Sequence, residues 1–88
     1  MKIGDMRNLG PRMERWLSEI GIDSDAELRR IGAVDAWRLL RFRFGREVTL
    51  NALYGMAAAL IGCDWRDLPV EEKGRLRRAV EDALTSPD

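Results

Sequence analysis

Apolar residues recur along the 88-residue chain at intervals of three and four positions, the repeat of an amphipathic α-helix. The first such segment opens at Pro11, a residue that suits the first turn of a helix, and stops at Gly21. No segment alternates apolar and polar residues in the manner of a half-buried strand. The spacing predicts a first helix with one buried face: Met13, Trp16, Leu17 and Ile20.

The next two helices are marked by a capping signal and by stop glycines. Ser24 and Glu27 have the spacing of a capping box, in which each side chain satisfies a backbone N–H at the start of a helix. This second helix is short and ends at Gly32, and a third runs from Ala33 to about Phe44. The side chains predicted to be buried are Leu28 and Ile31 in the second helix and Val34, Trp37, Leu40 and Phe44 in the third.

Two further helices complete the predicted fold. Thr49 is placed to cap a fourth helix, which stops at Gly62, and a fifth begins near Val70. Between them, residues 64–69 form a turn or a single helical turn capped by Asp64, and residues 85–88 form a frayed tail. The fourth helix buries Leu50, Leu53, Tyr54, Ala57 and Ile61, and the fifth buries Leu76, Val80, Ala83 and Leu84.

Length and composition limit the class of protein. Eighty-eight residues predict one domain over 1–88, with a core at about 6–84 and an all-α fold of about five short helices. Fifteen basic and fifteen acidic residues give a net charge of zero, so any contact with nucleic acid must come from a local patch. A single cysteine, Cys63, and the lack of a signal peptide or long apolar run predict a soluble, cytoplasmic protein.

The residue types argue against catalysis. The chain has no histidine, which is the usual general base near neutral pH, and one cysteine does not make a zinc site or a thiol–imidazole pair. No glycine-rich phosphate loop is present. The carboxylates of the fifth helix fit surface ion pairs, Glu71 with Arg75 and Asp82 with Arg78. The sequence therefore predicts a non-enzymatic protein with no metal, no cofactor and no small-molecule substrate.

The turn before the first helix is the first candidate site. A Leu-Gly-Pro turn that leads into a helix resembles the hairpin of a helix-hairpin-helix motif, whose backbone N–H groups bind a nucleic-acid phosphate. Gly10 would let the phosphate approach, and Arg12 and Arg15 would supply positive charge. In the alternative interpretation, Gly10 and Pro11 only start the helix.

A second candidate lies at the end of the third helix, where four arginines alternate with apolar residues over positions 38–46. Arg41 and Arg43 are candidates to assist in backbone contact with nucleic acid. Phe42 does not share the buried face, and with Arg38 and Arg46 it would form a protein-binding spot of the kind that aromatics and arginine favour. The arginines equally suit a helix C-terminus, where cations stabilise the dipole.

Two smaller features concern packing. Gly55 lies within the fourth helix, where glycine costs about 1 kcal/mol relative to alanine, so a close neighbour is expected there. That neighbour is either another helix of the domain or a second copy of the chain. The three tryptophans, Trp16, Trp37 and Trp65, are predicted to anchor the core.

The order of these motifs resembles the C-terminal domain of the TfoX (Sxy) family of bacterial competence regulators. The resemblance covers about Met6 to Ala83 and predicts a stand-alone copy, without the N-terminal domain that full-length members carry. It implies a helix-hairpin-helix or SAM-like helical domain, a role in regulating natural competence with the transcription machinery, and no catalytic positions. It is carried by Leu9-Gly10-Pro11, Trp16-Leu17, Ile20-Gly21-Ile22, Glu27-Leu28, Ile31-Gly32-Ala33-Val34, Ala36, Leu50-Asn51-Ala52-Leu53-Tyr54, Ala57 to Leu60, Gly62-Cys63-Asp64-Trp65 and Leu68-Pro69.

The function predicted from sequence is thus a regulatory interaction module. Its partner is either a protein of the transcription or competence machinery or the DNA backbone, contacted through the turn at Gly10. A protein-interaction or self-assembly module that binds no nucleic acid is the alternative, and the sequence leaves the oligomeric state open.

Overall fold

A computed structural model describes residues 2–85, and these residues form a bundle of helices. Within that range there is no β-strand, and a single isolated bridge joins Lys2 to Ser24. The predicted all-α fold with five helices is confirmed. The helices are α1 (Pro11–Glu19), α2 (Asp25–Ile31), α3 (Ala33–Phe44), α4 (Leu50–Ile61) and α5 (Val70–Thr85), with short 3₁₀ helices at Ile3–Asp5, Gly45–Glu47 and Trp65–Asp67.

Helix α3 is the centre of the bundle, because it packs against each of the other four helices. Its inward side chains are small or apolar, and Trp37 among them is fully buried. The indole Nε1 of Trp37 donates a hydrogen bond to the backbone carbonyl of Thr49 at 2.9 Å, which ties α3 to the start of α4. A buried tryptophan usually needs such a partner for its N–H.

The starts and stops of the helices follow the local sequence. The Ser24 hydroxyl accepts a hydrogen bond from the Glu27 N–H at 3.3 Å, and Glu27 in turn accepts one from the Asp23 N–H at 3.0 Å. Gly62 ends α4 in the left-handed region, with φ of 77°. Asp64 caps the turn at 65–67, as predicted. Thr49 precedes α4, but its side chain makes no capping hydrogen bond, so that part of the prediction is wrong.

The core is continuous, and its most buried positions differ from the predicted ones in α3 and α4. In α3, Ala36 is fully buried while Val34 and Phe44 are half-buried. The predicted face of α4 is wrong at its end, because Ile61 is exposed. Apart from Asn51, helix α4 consists of apolar or aromatic residues and one glycine, so its pattern did not define one face. Its buried residues are Leu53, Gly55, Met56, Ala58 and Ala59.

The tryptophans do not play one common role. Trp37 is in the core, and Trp16 is half-buried against it. Trp65 is 40% exposed, so its predicted role as a core anchor is wrong. It lies in the 3₁₀ turn before α5, where Lys73 approaches its ring.

The N-terminal segment packs onto the bundle and explains Gly55. Ile3 is fully buried, and Met6 and Leu9 are also in the core. A Cβ atom placed on Gly55 would lie 3.9 Å from Asn8 and from Leu9, which is ordinary van der Waals distance. The close neighbour of Gly55 is therefore the N-terminal segment. The sequence analysis had predicted either another helix or a second copy of the chain at this position.

The ion pairs of α5 also differ from those predicted. Arg75 pairs with Glu72, three positions away, instead of Glu71. Asp82 pairs with Arg38 of α3 at 2.8 Å, where sequence spacing had suggested Arg78. Of the tail predicted at 85–88, Thr85 is the last residue of α5 and the other three residues lie outside the described part.

Candidate interaction surface

The exposed side of α3 carries a bare aromatic side chain. Phe42 is 93% exposed, and Leu39, three positions earlier on the same side, is 44% exposed. Both point away from the core because the buried stripe of α3 runs through Trp37 and Leu40. Arg46 follows in the 3₁₀ turn after α3 and is exposed. We call Leu39, Phe42 and Arg46 the Phe42 surface; sequence reasoning predicted Phe42 and Arg46 and missed Leu39.

One edge of this surface is fixed to α5 by Arg38. Its guanidinium bonds both carboxylate oxygens of Asp82, at 2.8 and 3.3 Å, and the carbonyl of Ala79 at 2.6 Å. The hydrogen bonds from Arg38 lower the pKa of Asp82 below its ordinary value, and the same pair raises the pKa of Arg38. Such a bidentate pair has a defined geometry. Arg38 therefore borders Phe42 as a positioned group, with part of its charge neutralised.

At the other edge of the Phe42 surface, a stacked pair of aromatic rings joins α1 to α3, and a guanidinium group lies over each ring. Trp16 and Phe44 stack with centroids 5.2 Å apart and planes 17° apart. Arg12 lies over Trp16 at 4.5 Å, and Arg43 lies over Phe44 at 5.0 Å. Arg43 also pairs with Glu19 at 3.2 Å. Arg12 and Arg43, two of the residues predicted to contact nucleic acid, thus lie over the two rings of one stacked pair.

Arg41 is used inside the fold. Its Nη1 donates to the backbone carbonyl of Val48 at 2.9 Å, and its guanidinium lies over Trp37 at 5.6 Å. Val48 lies between α3 and α4, and Trp37 itself bonds to Thr49 at the start of α4, so Arg41 helps to hold that junction together. This arrangement favours the structural alternative for Arg41 that the sequence had left open.

The N-terminus of α1 is open at Gly10. Gly10 precedes the helix in an extended conformation, and no side chain caps the helix at this position. Apart from its chain neighbours, no atom lies within 4 Å of where a Cβ on Gly10 would be. Arg15 is exposed one turn along. The carboxylate of Glu14 lies in the same first turn and accepts a hydrogen bond from the Gly4 N–H at 3.2 Å. That negative charge offsets part of the positive potential of the helix start.

A pocket of about 300 Å³ lies at the opposite end of α3 from Phe42. It opens where the α2–α3 junction, the end of α4 and the start of α5 meet, and its walls are mainly apolar. Asp35, Glu72 and Arg75 supply the polar part of its lining. The apolar lining consists of Ile31, Ala33, Val34, Ala57, Leu60, Ile61 and Leu76, with Gly32. Sequence patterns did not predict this pocket, since its residues come from four helices.

Two further features concern the described residues as a whole. Over residues 2–85, no group of three or more histidine, cysteine, aspartate or glutamate side chains is placed to hold a metal ion. In the same part of the chain, none of the helices combines the length and apolar character needed to cross a membrane.

The protein is thus a small helical domain that exposes an aromatic side chain, Phe42, among arginines. The chain belongs to the TfoX C-terminal domain family, whose model matches residues 1–80. This confirms the family that the sequence motifs indicated, a regulatory type of domain that is not known for enzymatic activity.

Two solved structures share the fold over nearly the whole chain. One is an uncharacterized protein from Listeria monocytogenes in a triclinic crystal form, with a TM-score of 0.90 and 22% identity, covering 97% of this chain and 96% of that one. Another is a protein of unknown function from Listeria monocytogenes in a tetragonal form, with a TM-score of 0.85 and 24% identity, covering 91% and 98%. At these identities the likeness concerns the fold. Comparison with curated protein sequences gives no significant match.

Proposed function

We propose that this chain is a non-enzymatic regulatory module that binds a protein partner through the Phe42 surface. The observation that carries the proposal is the 93% exposure of Phe42, the highest among the large apolar side chains of the described residues, next to the exposed Leu39. Phe42 and Leu39 together form a contiguous exposed apolar patch, and such a patch favours association in water. Aromatic residues with arginine neighbours are also the composition of interface hot spots.

The surroundings of Phe42 fit this role. Arg38 and Arg43 are held on either side of it by Asp82 and Glu19, so a partner would meet side chains that are already ordered. Ordered groups lose less entropy when they bind. The net charge of zero and the internal use of Arg41 both favour a protein over a polyanion as the partner. Regulation of natural competence, which the family resemblance implied, is the process in which we would look for that partner.

Affinity capture with matched variants tests the proposal. The bait is compared in three forms: the unchanged chain, Phe42→Ala, and Val70→Ala as a control at an 81% exposed apolar residue on α5. We expect a specific protein to be retained by the first and third baits and lost from the second, with nuclease treatment having no effect. Equal retention by all three baits would refute the Phe42 surface as the docking site.

Contact with the DNA backbone through Gly10, Arg12 and Arg15 is the second candidate. The open N-terminus of α1 supports it, because backbone N–H groups there can receive a phosphate. Its test is fluorescence anisotropy of a random-sequence duplex at about 50 mM and about 200 mM salt, a range over which phosphate contacts lose affinity steeply. Arg77→Ala, at an exposed arginine of α5, is the control with the same change in charge.

The three outcomes of this titration are distinct. Binding that weakens with salt, is lost in Arg12→Ala and survives in Arg77→Ala would establish the DNA contact. Equal loss in both variants would mean only a general charge effect. No binding at either salt concentration would leave Gly10 as the plain start of a helix.

A further inference from the structure

The structure contains an exposed apolar side chain and an apolar pocket that cannot meet within one molecule. Phe42 lies near the C-terminal end of α3, and the pocket is bordered by Val34 near its N-terminal end. Eight residues of helix separate them by about 12 Å along the axis. A side chain and a pocket fixed at the two ends of one rigid helix can be joined only between two molecules.

We propose that the chain associates with itself head to tail, with Phe42 of one copy inserted into the pocket of the next. This inference rests on the Phe42 surface of the proposed function and names a second copy of the chain as one of its partners. The contact is heterologous, since the two molecules contribute different surfaces.

The size and lining of the pocket suit a phenyl ring. An apolar cavity of about 150 Å³ is enough to hold benzene, and the pocket here is about 300 Å³. Its walls are mainly aliphatic side chains from four helices, with Asp35, Glu72 and Arg75 as the polar part, so an inserted ring would be in contact with apolar atoms on several sides.

The charges around the two surfaces are complementary. Arg43 and Arg46 flank Phe42, and Arg46 has no ion-pair partner among the described residues. Asp35 and Glu72 lie at the pocket, while its one cation, Arg75, is already paired with Glu72. Because Arg43 is paired with Glu19 and Glu72 with Arg75, the charges left to meet on insertion of Phe42 are Arg46 of one copy and Asp35 of the other. Opposite potentials of this kind fix orientation and exclude wrong partners.

A single inserted side chain predicts weak association. The contact lies below the size of stable interfaces, which bury about 1,200–2,000 Å² in total, so we expect a dissociation constant well above about 100 µM. Association should also weaken as salt rises, because exposed charges take part.

Sedimentation velocity over about 10 µM to about 1 mM tests the proposal in a range suited to weak contacts. The sedimentation coefficient of the unchanged chain should rise with concentration. Phe42→Ala removes the inserted ring, and Ile61→Arg places a cation at the pocket without disturbing the core, since Ile61 is exposed. Each change should weaken association at least about tenfold. Val70→Ala should leave it unchanged, and circular dichroism shows that each variant is folded.

Mixing the two inactive variants gives the sharpest test. Phe42→Ala keeps an intact pocket and Ile61→Arg keeps an intact Phe42, so the mixture should regain association as a 1:1 pair that grows no further. A mixture that stays monomeric would overturn the head-to-tail contact, and so would an unchanged chain that is monomeric at all concentrations. Either result would leave the proposed function standing if Phe42→Ala still loses its captured partner, whereas capture that does not depend on Phe42 would refute the proposed function.

Discussion

Asn8 accepts a hydrogen bond from the backbone N–H of Trp65 at 3.0 Å, although 57 positions separate the two residues. The same amide donates through Nδ2 to the carbonyl of Cys63 at 2.8 Å. Asn8 is also the one residue other than glycine, among those described, with a positive φ, at 72°. One asparagine therefore fastens the N-terminal segment to the turn between α4 and α5.

We predict that Asn8→Ala lowers the free energy of unfolding by about 2–3 kcal/mol, through two lost hydrogen bonds and a strained backbone. Asn8→Gly removes the same hydrogen bonds but tolerates the positive φ, so its cost should be about 1 kcal/mol less. Urea unfolding of both variants measures the difference. Stability within about 0.5 kcal/mol of the unchanged chain for Asn8→Ala would show that this junction contributes nothing.

The two phenylalanines of α3 should behave in opposite ways. Phe44 is half-buried and stacked on Trp16, so Phe44→Ala should cost about 1.5–3 kcal/mol of stability. Phe42 is exposed, so Phe42→Ala should change stability by less than about 0.5 kcal/mol. Thermal or urea unfolding distinguishes them. A large loss of stability in Phe42→Ala would mean that Phe42 belongs to the fold and would remove the basis of the proposed surface.

Gly55 should tolerate a methyl group where Gly62 should not. A Cβ at position 55 would meet its nearest neighbours at 3.9 Å, so Gly55→Ala should stabilise the protein by about 0.5–1 kcal/mol through better helix propensity. Gly62 has a φ of 77°, where a side chain costs about 1 kcal/mol or more, so Gly62→Ala should destabilise. If unfolding experiments show that Gly55→Ala destabilises the protein by about 0.5–1 kcal/mol instead, α4 must pack more closely against Asn8 and Leu9 than the 3.9 Å distance indicates.

Stability should fall as the medium becomes strongly acidic, in part through Asp64. Hydrogen bonds from the Arg66 side chain and backbone lower the pKa of Asp64 to about 2. Because this pKa is lower in the folded chain than in the unfolded one, the stabilisation is present above the ordinary carboxyl range and is lost as the pH falls toward 2. Carboxyl resonances followed by NMR should show the low midpoint.

Arg66→Ala is the matched change for this titration. It should raise the pKa of Asp64 only part of the way to its ordinary value, because the N–H of residue 66 still donates to the carboxylate. An unchanged midpoint in this variant would contradict the role assigned to the guanidinium.

The sequence predicted the elements of this fold better than their assembly. Helix boundaries depend on local signals, such as the Ser24–Glu27 pair and the glycine stop at Gly62, and these act within a few residues. The buried face of helix α4 was predicted incorrectly at Ile61, because nearly all residues of this helix are apolar and their spacing does not single out one face. Trp65 lies in a 3₁₀ turn, where no periodicity separates a buried ring from an exposed one.

The Phe42 surface was only partly predictable, because part of it depends on contacts between helices that are distant in the sequence. Phe42 was identified as exposed because it falls off the buried stripe of its own helix. The pairing of Arg38 with Asp82 spans 44 positions, and the pocket draws on four helices. Such features depend on how helices pack, which the spacing within one helix does not determine. A run of arginines likewise does not reveal that Arg41 bonds inward to Val48.

Phe42 is the proposed docking site for a protein partner, and site-specific photo-crosslinking at this position tests whether a partner lies against it. A photoreactive phenylalanine analogue is placed at position 42, and at position 70 as a control, in cells that express the chain. We expect a crosslinked protein from position 42 and none from position 70; a crosslink to a second copy of this chain would be the proposed self-association. Crosslinks to nucleic acid alone, or the same products from both positions, would contradict it.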